Sequence, residues 1–477
     1  MIDCRNNNSL NFLISAFSMG SYVSTEEILD WIQKRNRETR YELEQTPLSE
    51  LGDWEYQDDR IRHKSGKFYS IQGIRVSTNY GQVSQWDQPI INQPEIGFLG
   101  FLVQKKQGVL HFLLQAKIEP GNLNVVQLSP TLQATRSNYT RVHQGRIPNY
   151  LEYFTGEKKV SILVDQLQSE QGARFFQKRN RNIIVEVDEN EEVPVLDNYI
   201  WATLGQIKQL MRYPNVVNMD SRTVISCITY GDYSERDVRL LSALRLNKAE
   251  SREDSFLYSV LSKDNHLHDI PQIVRWITGL KFKYDLNVEK IGISQVKDWV
   301  YDGNVIAHKN QKYFSVIGVN VTIDGREVTR WNQPMVKAAQ EGIIGFLVKK
   351  INGIYHFLVQ AKVEPGNFDI LELAPTVQCL TGNYRKGLNE YTIPYIEYFV
   401  NPKEENLWYS VYQSEEGGRF YKEQNLNMIV EVGEDFPVEV AENYCWVTLN
   451  QLMSFVTYNN YLNIAARSLL SAISFID

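Results

Sequence analysis

The chain carries one long sequence pattern twice. The segment QAKIEPGN at 115–122 returns as QAKVEPGN at 360–367, which is a displacement of 245 residues. The same displacement relates further matching pairs, namely Trp31 to Trp276, Trp54 to Trp299, Trp86 to Trp331, His111 to His356 and Asn218 to Asn463. Solenoid repeats have periods of roughly 20–50 residues. A repeat of this length excludes a solenoid and indicates a duplicated domain.

The repeated pattern divides the chain into three parts. It extends from about 24 to 228 and from about 269 to 473, and each copy is long enough to bury its own core. We therefore predict an N-terminal repeat at 1–228, a connector at 229–268 and a C-terminal repeat at 269–477. The connector has no counterpart after the second repeat, and its mixed charges predict an exposed helical segment.

Each repeat is predicted to begin and end with a helix. Ser24 with Glu27, and Asp269 with Gln272, have the residue types and spacing of a capping box. The predicted closing helices lie at 216–228 and 461–473. Most segments between the helices combine β-rich composition with turn residues at their ends, which predicts strands.

Composition and motifs exclude several classes of protein. The net charge of −7 gives no reason to expect nucleic-acid binding. We find no apolar run long enough to span a bilayer and no signal peptide. The scattered cysteines (Cys4, Cys227, Cys379 and Cys445) predict free thiols in a reducing cytoplasm and no zinc or iron–sulfur site. Without a Walker loop, a G-x-G-x-x-G motif or metal-ligand spacing, we expect no cofactor.

The predicted strand at 111–119 has two chemically different faces, because side chains alternate across a strand. The face expected in the core carries Phe112, Leu114, Ala116 and Ile118. The other face carries His111, Leu113, Gln115, Lys117 and Glu119, and its four polar residues return as His356, Gln360, Lys362 and Glu364. We interpret this face as the lining of a polar pocket. The alternative is a solvated face with a weak Lys–Glu pair.

Each copy of this strand leads into Glu-Pro-Gly-Asn, at 119–122 and 364–367. The composition predicts a tight turn in which the glycine, Gly121 or Gly366, adopts a positive φ. Such a turn would also fix the glutamate of the motif at the end of a strand.

Two further repeated segments contain residues that suit a phosphate. SPTLQATRSNYT at 129–140 offers amides, hydroxyls and Arg136, and returns as APTVQCLTGNYR. QSEQGARFFQKRNRN at 168–182 returns as QSEEGGRFYKEQNLN, with Arg174 and Arg419 in both copies. The alternatives are an ordinary surface loop for the first segment and a solvated basic face for the second.

Two of the repeated tryptophan pairs are candidates for contact with a ligand. Trp54 and Trp299 precede a turn and a strand, whereas Trp86 and Trp331 begin the motif W-x-Q-P. A tryptophan can stack on a nucleotide base, although it more often fills a core. We expect at most one of these pairs to contact a ligand.

Five motifs mark the chain between about Ser15 and Ile473, namely W-x-Q-P, QAK-x-EPGN, SPT-x-Q-AT-x-SNYT, QSEQG-x-x-F-x-KRNRN and VNMD-x-R. Together they resemble the NDP-hexose 2,3-dehydratase family. The resemblance implies an α+β fold of two tandem Nudix-like domains from gene duplication, with mixed β-sheets flanked by helices. It implies a dTDP-4-keto-6-deoxyhexose substrate, no redox cofactor and a homodimer. A downstream ketoreductase or aminotransferase would use the product. No Nudix box is found in the sequence, which argues against pyrophosphate hydrolysis.

The implied reaction removes the C2 hydroxyl, and it needs a base near C3, a donor for the enolate and an acid for the leaving group. We predict Glu119 as the base with His111 as the alternative, Lys117 as the donor and Tyr139 as the acid. The predicted binding residues of the first repeat are Trp54, Gln115, Arg136, Ser137, Asn138, Gln168, Arg174 and Arg179. Those of the second repeat are Trp299, Lys362, Glu364, Asn383, Tyr384 and Arg419.

The repeats differ at charged positions. Six charged or titratable residues of the first repeat are replaced in the second: Arg136 by Thr381, His143 by Leu388, Asp165 by Ser410, Arg179 by Gln424, Arg181 by Leu426 and Asp220 by Ala465. We infer that the first repeat is catalytic and that the second holds ligand or is vestigial, although the reverse stays open because His356, Lys362, Glu364, Tyr384 and Arg419 persist. The competing functions are a non-catalytic nucleotide-sugar-binding module and a nucleoside diphosphate hydrolase. The retained Lys and Glu argue against the first, and the missing carboxylate cluster argues against the second.

Overall fold

The computed structural model describes residues 8–20, 22–135, 147–231, 252–323, 329–380 and 392–476, and only the backbone of 252–254 and 380. Within these ranges the α-helices are α1 (Asn8–Ala16), α2 (Thr25–Glu38), α3 (Leu204–Leu210), α4 (Met219–Ser226), α5 (Arg252–Leu261), α6 (Ile270–Lys283), α7 (Glu397–Val400), α8 (Leu449–Val456) and α9 (Ile464–Ser471).

The described strands of the first repeat are β1 (Tyr41–Thr46), β2 (Trp54–Gln57), β3 (Arg60–His63), β4 (Ser70–Thr78), β5 (Gln85–Asn92), β6 (Phe98–Lys106), β7 (Val109–Ile118), β8 (Val126–Ser129), β9 (Leu132–Ala134), β10 (Ser161–Ser169), β11 (Arg179–Val187) and β12 (Tyr199–Thr203). Those of the second are β13 (Leu286–Ile291), β14 (Trp299–Tyr301), β15 (Val305–His308), β16 (Phe314–Ile323), β17 (Arg330–Ala338), β18 (Gly342–Ile351), β19 (Ile354–Lys362), β20 (Glu372–Ala374), β21 (Val377–Leu380), β22 (Leu407–Ser414), β23 (Gln424–Glu431) and β24 (Tyr444–Thr448).

Each repeat builds one seven-stranded mixed sheet. In the first repeat the order is β10-β11-β6-β7-β12, with β8 beside β7 and β9 beside β6. The second repeat has the order β20-β19-β18-β23-β22, with β21 beside β18 and β24 beside β19. One pair in each sheet is parallel, β11 with β6 and β23 with β18. The architecture is therefore α+β with mixed sheets, as predicted.

The two repeats exchange a strand between their five-stranded sheets. Strand β1 leaves the first repeat and pairs antiparallel with β16 of the second, from Tyr41 opposite Ile323 to Thr46 opposite Gly318. Strand β13 makes the reciprocal pairing with β4 of the first repeat. The sequence repeats are consecutive along the chain, but their folded copies are interlocked.

The local predictions for the repeated helices are confirmed. Ser24 and Glu27 form a reciprocal capping box at α2, and Asp269 and Gln272 form the same box at α6. The predicted closing helices correspond to α4 and α9. Phe112, Leu114 and Ala116 lie in the main apolar cluster, as alternation along β7 predicts. That cluster contains residues of both repeats, so one core joins them.

The described part of the connector is helical as predicted, but it is not exposed. Helix α5 packs on β19 and α8, as α1 packs on β7 and α3, and Phe256 and Leu257 are buried. Ser15 Oγ donates to Leu110 O at 2.6 Å, and Ser259 Oγ donates to Tyr355 O at 2.5 Å. Helix α5 is thus the counterpart of α1. The shared pattern F-L-x-S-x-x-S at 12–18 and 256–262 is the signal that would have shown it.

The prediction of a positive φ for the glycine of each Glu-Pro-Gly-Asn turn is wrong. Neither Gly121 nor Gly366 has a positive φ. Instead, a Cβ on Gly121 would lie 1.7 Å from Phe420 O, and a Cβ on Gly366 would lie 1.7 Å from Phe175 O. Glycine is required here because the backbone of the other repeat approaches too closely for any side chain.

Buried arginines add a second link between the repeats. Arg222 in α4 donates to Ser414 O, and its counterpart Arg467 in α9 donates to Ser169 O at 2.5 Å. Both guanidinium groups are almost fully buried. Because a buried charge is stable only when it is well hydrogen-bonded, each arginine requires the other repeat to be correctly placed.

Two properties bear on the class of protein. None of the helices in the described part of the chain is long and apolar enough to cross a membrane. The cysteines of these ranges, Cys227, Cys379 and Cys445, form no disulfide with one another.

Replacing Gly121 with alanine should lower the free energy of unfolding by at least about 1–3 kcal/mol, the usual cost of overpacking. The cause is the collision of the new Cβ with Phe420 O of the second repeat. Gly279→Ala is the matched control, since Gly279 lies in α6 with open space around its Cβ position. That variant should gain about 1 kcal/mol from helix propensity. Urea unfolding of both variants checks this, and equal stability of the two would contradict it.

Candidate active site

Lys117 and Glu119 lie side by side at the carboxyl end of β7. Gln133 of β9 donates from Nε2 to Glu119 Oε1 at 2.7 Å, and Lys117 Nζ donates to Gln133 O at 3.1 Å. Asn218 Nδ2 donates to Gln133 Oε1 at 3.3 Å, which fixes the orientation of that amide. The network holds one carboxylate and one ammonium group in defined positions, and Glu119 is only 4% exposed.

Asp220 adds a second carboxyl group from the first turn of α4. The helix begins at this point because Asn218 caps it, accepting from Ser221 N at 2.8 Å. Burial raises the pKa of Asp220 well above its ordinary value, and repulsion by Glu119 raises it further, against the attraction of Lys117. This environment favours the neutral acid at position 220.

The loop at 415–420 of the second repeat completes this cluster. Gly121 N donates to Gly417 O at 2.7 Å, so the turn of one repeat is bonded to the loop of the other. A Cβ on Gly417 would lie 2.9 Å from Glu119 Cβ and 2.1 Å from Asn122 Oδ1. The glycine therefore allows the loop to lie directly against Glu119.

Glu416 of this loop is a carboxyl group with unusual surroundings. Burial raises the pKa of Glu416 to about 7, and repulsion by Glu119 adds to it, while Arg419 opposes both effects. Its Oε1 accepts from Gly418 N at 3.0 Å. Its Oε2 is buried and has no hydrogen-bond partner in the described part of the chain. A buried oxygen in this state is available to a ligand.

The basic segment predicted to be a diphosphate site or a solvated face is partly internal. Lys178 is 5% exposed and donates to Asn180 Oδ1 at 2.8 Å, and Asn180 Nδ2 donates to Glu170 Oε1 at 2.7 Å. Burial lowers the pKa of Lys178 to about 8 despite attraction by Glu170. Glu170 also acts on Asp220 and Glu416, so these residues form the rear wall of the same cluster.

Each repeat supplies an arginine to the cluster of the other repeat. The Arg419 guanidinium lies 4.2 Å above the ring of Tyr69 and donates from Nε to Gln93 Oε1 at 3.2 Å. Arg174 lies 4.2 Å above the ring of Phe314 and interacts electrostatically with Glu364. Arg174, predicted to bind phosphate in the first repeat, therefore belongs to the second repeat's cluster, and Arg419 occupies the equivalent place in the first.

We call these two clusters the first site and the second site. The first site consists of Lys117, Glu119, Gln133, Glu170, Lys178, Asn218, Asp220, Glu416 and Arg419. The second site consists of the equivalent residues Lys362, Glu364, Gln378, Glu415, Glu423, Asn463, Ala465, Gln171 and Arg174. Its hydrogen bonds repeat those of the first, with Lys362 Nζ donating to Gln378 O at 3.0 Å and Gln378 Nε2 donating to Glu364 Oε1 at 3.2 Å.

His111, predicted as an alternative base, is placed elsewhere. It is six residues before Lys117 on the same strand, which corresponds to about 20 Å. His111 is 2% exposed, its Nδ1 is 2.9 Å from Val109 O, and burial lowers its pKa. The intervening Leu113 lies in an apolar cluster, so this face of β7 is not a continuous polar lining.

The structure uses other predicted binding residues for packing. Trp54 and Trp299 are 6% and 8% exposed in the apolar cluster between the small sheets, where their rings are packed as core residues. Gln168 Nε2 donates to Val456 O at 2.7 Å, and the Arg179 guanidinium lies 4.8 Å above the ring of Phe368 in the second repeat. Gln115 is half-buried and 3.5 Å from Ser129 Oγ. The other predicted residues Arg136, Ser137, Asn138, Tyr139, Asn383 and Tyr384 lie outside the described residues.

Comparison with known proteins identifies the family. A sequence profile described as NDP-hexose 2,3-dehydratase matches residues 25–228 and again residues 271–473. The chain belongs to the NDP-hexose 2,3-dehydratase family. It is 43% identical over 473 residues to the dTDP-4-dehydro-6-deoxy-alpha-D-glucopyranose 2,3-dehydratase of Saccharopolyspora spinosa, covering 98% of this chain and 95% of the relative.

Two relatives of the same name are also similar along nearly their whole length. The one from Amycolatopsis orientalis is 37% identical, covering 97% of this chain and 93% of the relative. The one from Streptomyces violaceoruber is 39% identical, covering 93% and 95%. The double match confirms the predicted duplication and the predicted family resemblance.

The two sites of this family member differ in their acids. Asp220 and Glu416 of the first site correspond to Ala465 and Gln171 of the second. Conversely, the second site has a carboxyl group where the first has an ammonium group, because Glu423 corresponds to Lys178. Burial raises the pKa of Glu423 to about 7. No group of three His, Cys, Asp or Glu side chains within the described ranges has an arrangement that could hold a metal ion.

Sequence reasoning missed Asn122, Gln133 and Glu416. Asn122 is 2% exposed, and neither its Nδ2 nor its Oδ1 has a hydrogen-bond partner in the described part of the chain. An unpartnered buried amide is costly unless a ligand satisfies it. The sequence signal for Glu416 was the change from QSEQG to QSEEG between the repeats, which puts a carboxyl group where the first repeat has the amide of Gln171.

Glu372→Gln should stabilise the protein above pH 7. Burial raises the pKa of Glu372 to about 7, so the folded state holds a proton that the unfolded state releases near pH 4.5. The stability that Glu372 contributes is therefore fully present below pH 4.5 and falls by about 3 kcal/mol as the pH rises to 7.

The variant copies the first repeat, where Gln127 Oε1 accepts from Ser414 Oγ at 2.9 Å as Glu372 Oε2 accepts from Ser169 Oγ at 2.8 Å. Urea unfolding at pH 5 and pH 8 measures the difference between the proteins. A gap that does not widen with pH would contradict the assignment.

Proposed function

We propose that this chain removes the C2 hydroxyl of a dTDP-4-keto-6-deoxyhexose, as the names of its relatives state for those proteins. The observation that carries the proposal is the first site, where a buried carboxylate, Glu119, is held beside the ammonium group of Lys117. This pair is suited to proton abstraction next to a ketone. The product would be a 2-deoxy-3,4-diketo sugar on a route to deoxysugars.

The reaction requires little beyond side chains. The C4 ketone acidifies the C3 proton, Glu119 accepts that proton, and Lys117 donates a hydrogen bond to the developing O4 enolate. The electron pair of the C3–H bond first forms the C3=C4 bond of the enolate. It then forms the C2=C3 bond as the C4 ketone is restored and the C2–O bond breaks, and the hydroxyl leaves as water with a proton from an acid of the first site. The resulting enol takes a proton at C2 and loses one from its C3 hydroxyl. Asn122 would bind a hexose hydroxyl through its unpartnered amide.

We assign catalysis to the first site because its acids are absent from the second. Elimination needs a proton donor for the leaving group as well as a base. The first site holds Asp220 and Glu416, whereas the second has Ala465 and Gln171 at these positions. The second site keeps Lys362 and Glu364 but lacks a carboxyl group at these two positions, and its Glu423 stands where the first site has Lys178.

Further parts of the proposal come from the family resemblance. We propose that each repeat is Nudix-like, that the protein is a cytoplasmic homodimer without a cofactor, and that a ketoreductase or aminotransferase consumes its product. The labile diketo product makes such a coupled enzyme necessary in any assay.

Glu119→Gln should reduce dehydration about 10²–10⁴-fold, because it removes the base and keeps the shape. Lys117→Met should cause a loss of similar order by removing the enolate donor. Glu364→Gln is the matched variant of the second site and should lose less than about tenfold. The measurement is metal-free incubation with dTDP-4-keto-6-deoxyglucose and a coupled ketoreductase, followed by mass spectrometry.

Three outcomes oppose the proposal in different ways. Near-normal turnover of both first-site variants would reject the assigned residues. Release of dTMP by the wild-type protein would indicate a hydrolase. Tight binding without any loss of water would indicate a binding module.

A further inference from the structure

The first site holds two carboxyl groups from opposite repeats in one small volume. Glu119 ends a strand of the first repeat, and Glu416 lies in the loop at 415–420 of the second. The backbone of Gly417 separates them, and a Cβ there would touch Glu119 Cβ at 2.9 Å. The two carboxyl groups are therefore close enough to repel each other electrostatically.

The two groups are held differently. Glu119 Oε1 accepts a hydrogen bond from Gln133 Nε2 at 2.7 Å. Glu416 has one oxygen on Gly418 N and one buried oxygen without a partner in the described ranges. The charged and titratable groups that interact with Glu416 from the surrounding elements are Glu119, Glu170, Lys178, Asp220, Arg419 and Tyr69. Four carboxyl groups at one place favour a proton on one of them.

The loop that carries Glu416 is fixed rather than loosely placed. Gln333 of the W-x-Q-P motif donates from Nε2 to Gly418 O at 2.7 Å, and Trp331 Nε1 donates to Gln333 Oε1 at 2.8 Å. Asn425 Nδ2 donates to Glu415 Oε1 at 2.6 Å. Besides packing against an apolar cluster, Trp331 thus helps to hold Glu416 at a set position.

We propose that Glu416, supplied by the second repeat, is the catalytic acid that protonates the departing C2 hydroxyl at the first site. The inference rests on the proposed dehydration. Glu119 takes the C3 proton, the C–H electrons form the C2=C3 bond, the C2–O electrons remain on oxygen, and Glu416 transfers its proton there. Water leaves, Glu119 ends protonated and Glu416 ionised, and proton exchange with solvent restores both.

Glu416 suits this role better than Asp220. Asp220 is 3% exposed inside the first turn of α4, whereas Glu416 as a whole residue is partly exposed, and its buried Oε2 has no hydrogen-bond partner among the described residues. A pKa near 7 also matches an acid that must give up its proton at neutral pH. The second site offers a natural comparison, because Gln171 stands there and donates from Nε2 to Glu415 Oε2 at 2.8 Å. An amide cannot act as a proton-donating acid.

The test compares two leaving groups. Glu416→Gln keeps the side-chain shape and should reduce dehydration of dTDP-4-keto-6-deoxyglucose about 10²–10⁴-fold. Fluoride departs from carbon without prior protonation. The same variant should therefore release fluoride from the 2-deoxy-2-fluoro analogue at a rate within about tenfold of the wild type. Glu119→Gln should lose both activities, since both need the base.

Further variants separate an acid from a structural residue. Glu416→Asp retains a carboxyl group and should dehydrate faster than Glu416→Gln. Glu434→Gln, an exposed glutamate of the same repeat, serves as the control that leaves both rates unchanged. Thermal unfolding of each variant checks that the fold is intact.

Three outcomes would overturn the inference. The first is dehydration by Glu416→Gln at a rate within about tenfold of the wild type. The second is fluoride release by Glu416→Gln that falls by the same factor as its dehydration. The third is that Tyr139→Phe, and not Glu416→Gln, loses dehydration while it still releases fluoride. If the wild-type protein neither loses water from the natural sugar nor releases fluoride from the analogue, the proposed function itself fails. A failure of Glu416 alone leaves wild-type turnover intact and is thus distinguishable.

Discussion

Two backbone hydrogen bonds between the repeats determine the arrangement of both sites. Gly121 N donates to Gly417 O at 2.7 Å, and Gly366 N donates to Gly172 O at 2.7 Å. Each bond joins the turn after a lysine–glutamate strand to the glycine loop of the opposite repeat. The contact is too close for any Cβ, so it places a foreign loop directly on the glutamate. Neither site is complete within one repeat.

The parts of the structure that depend on local sequence were predictable. The capping boxes at α2 and α6 and the alternation along β7 are set by neighbouring residues. The placement of Arg174 and Arg419 was not predictable, because each arginine packs on an aromatic ring of the other repeat, a contact that local patterns do not encode. Only one end of the polar face of β7 lies at the candidate site, since His111 and Lys117 share that face but lie at opposite ends of the strand.

Duplication followed by divergence explains the chemical difference between the sites. The hydrogen-bond network of Lys117, Glu119 and Gln133 is repeated in the second copy, so it serves the fold as well as chemistry. Asp220 and Glu416 are not repeated, although the second site has Glu423 where the first has Lys178. Buried carboxyl groups that repel one another cost stability, and the second repeat has Ala465 where the first has Asp220. Their retention on one side only is the physical basis for assigning chemistry to that side.

The central claim is that the two repeats jointly form the first site. A crystal structure with a bound, unreactive dTDP-hexose tests it most directly. The account predicts that the hexose ring lies between Glu119 and the loop at 415–420, in contact with side chains of both repeats. A hexose that contacts side chains of one repeat only, or that lies away from Glu119, would contradict it.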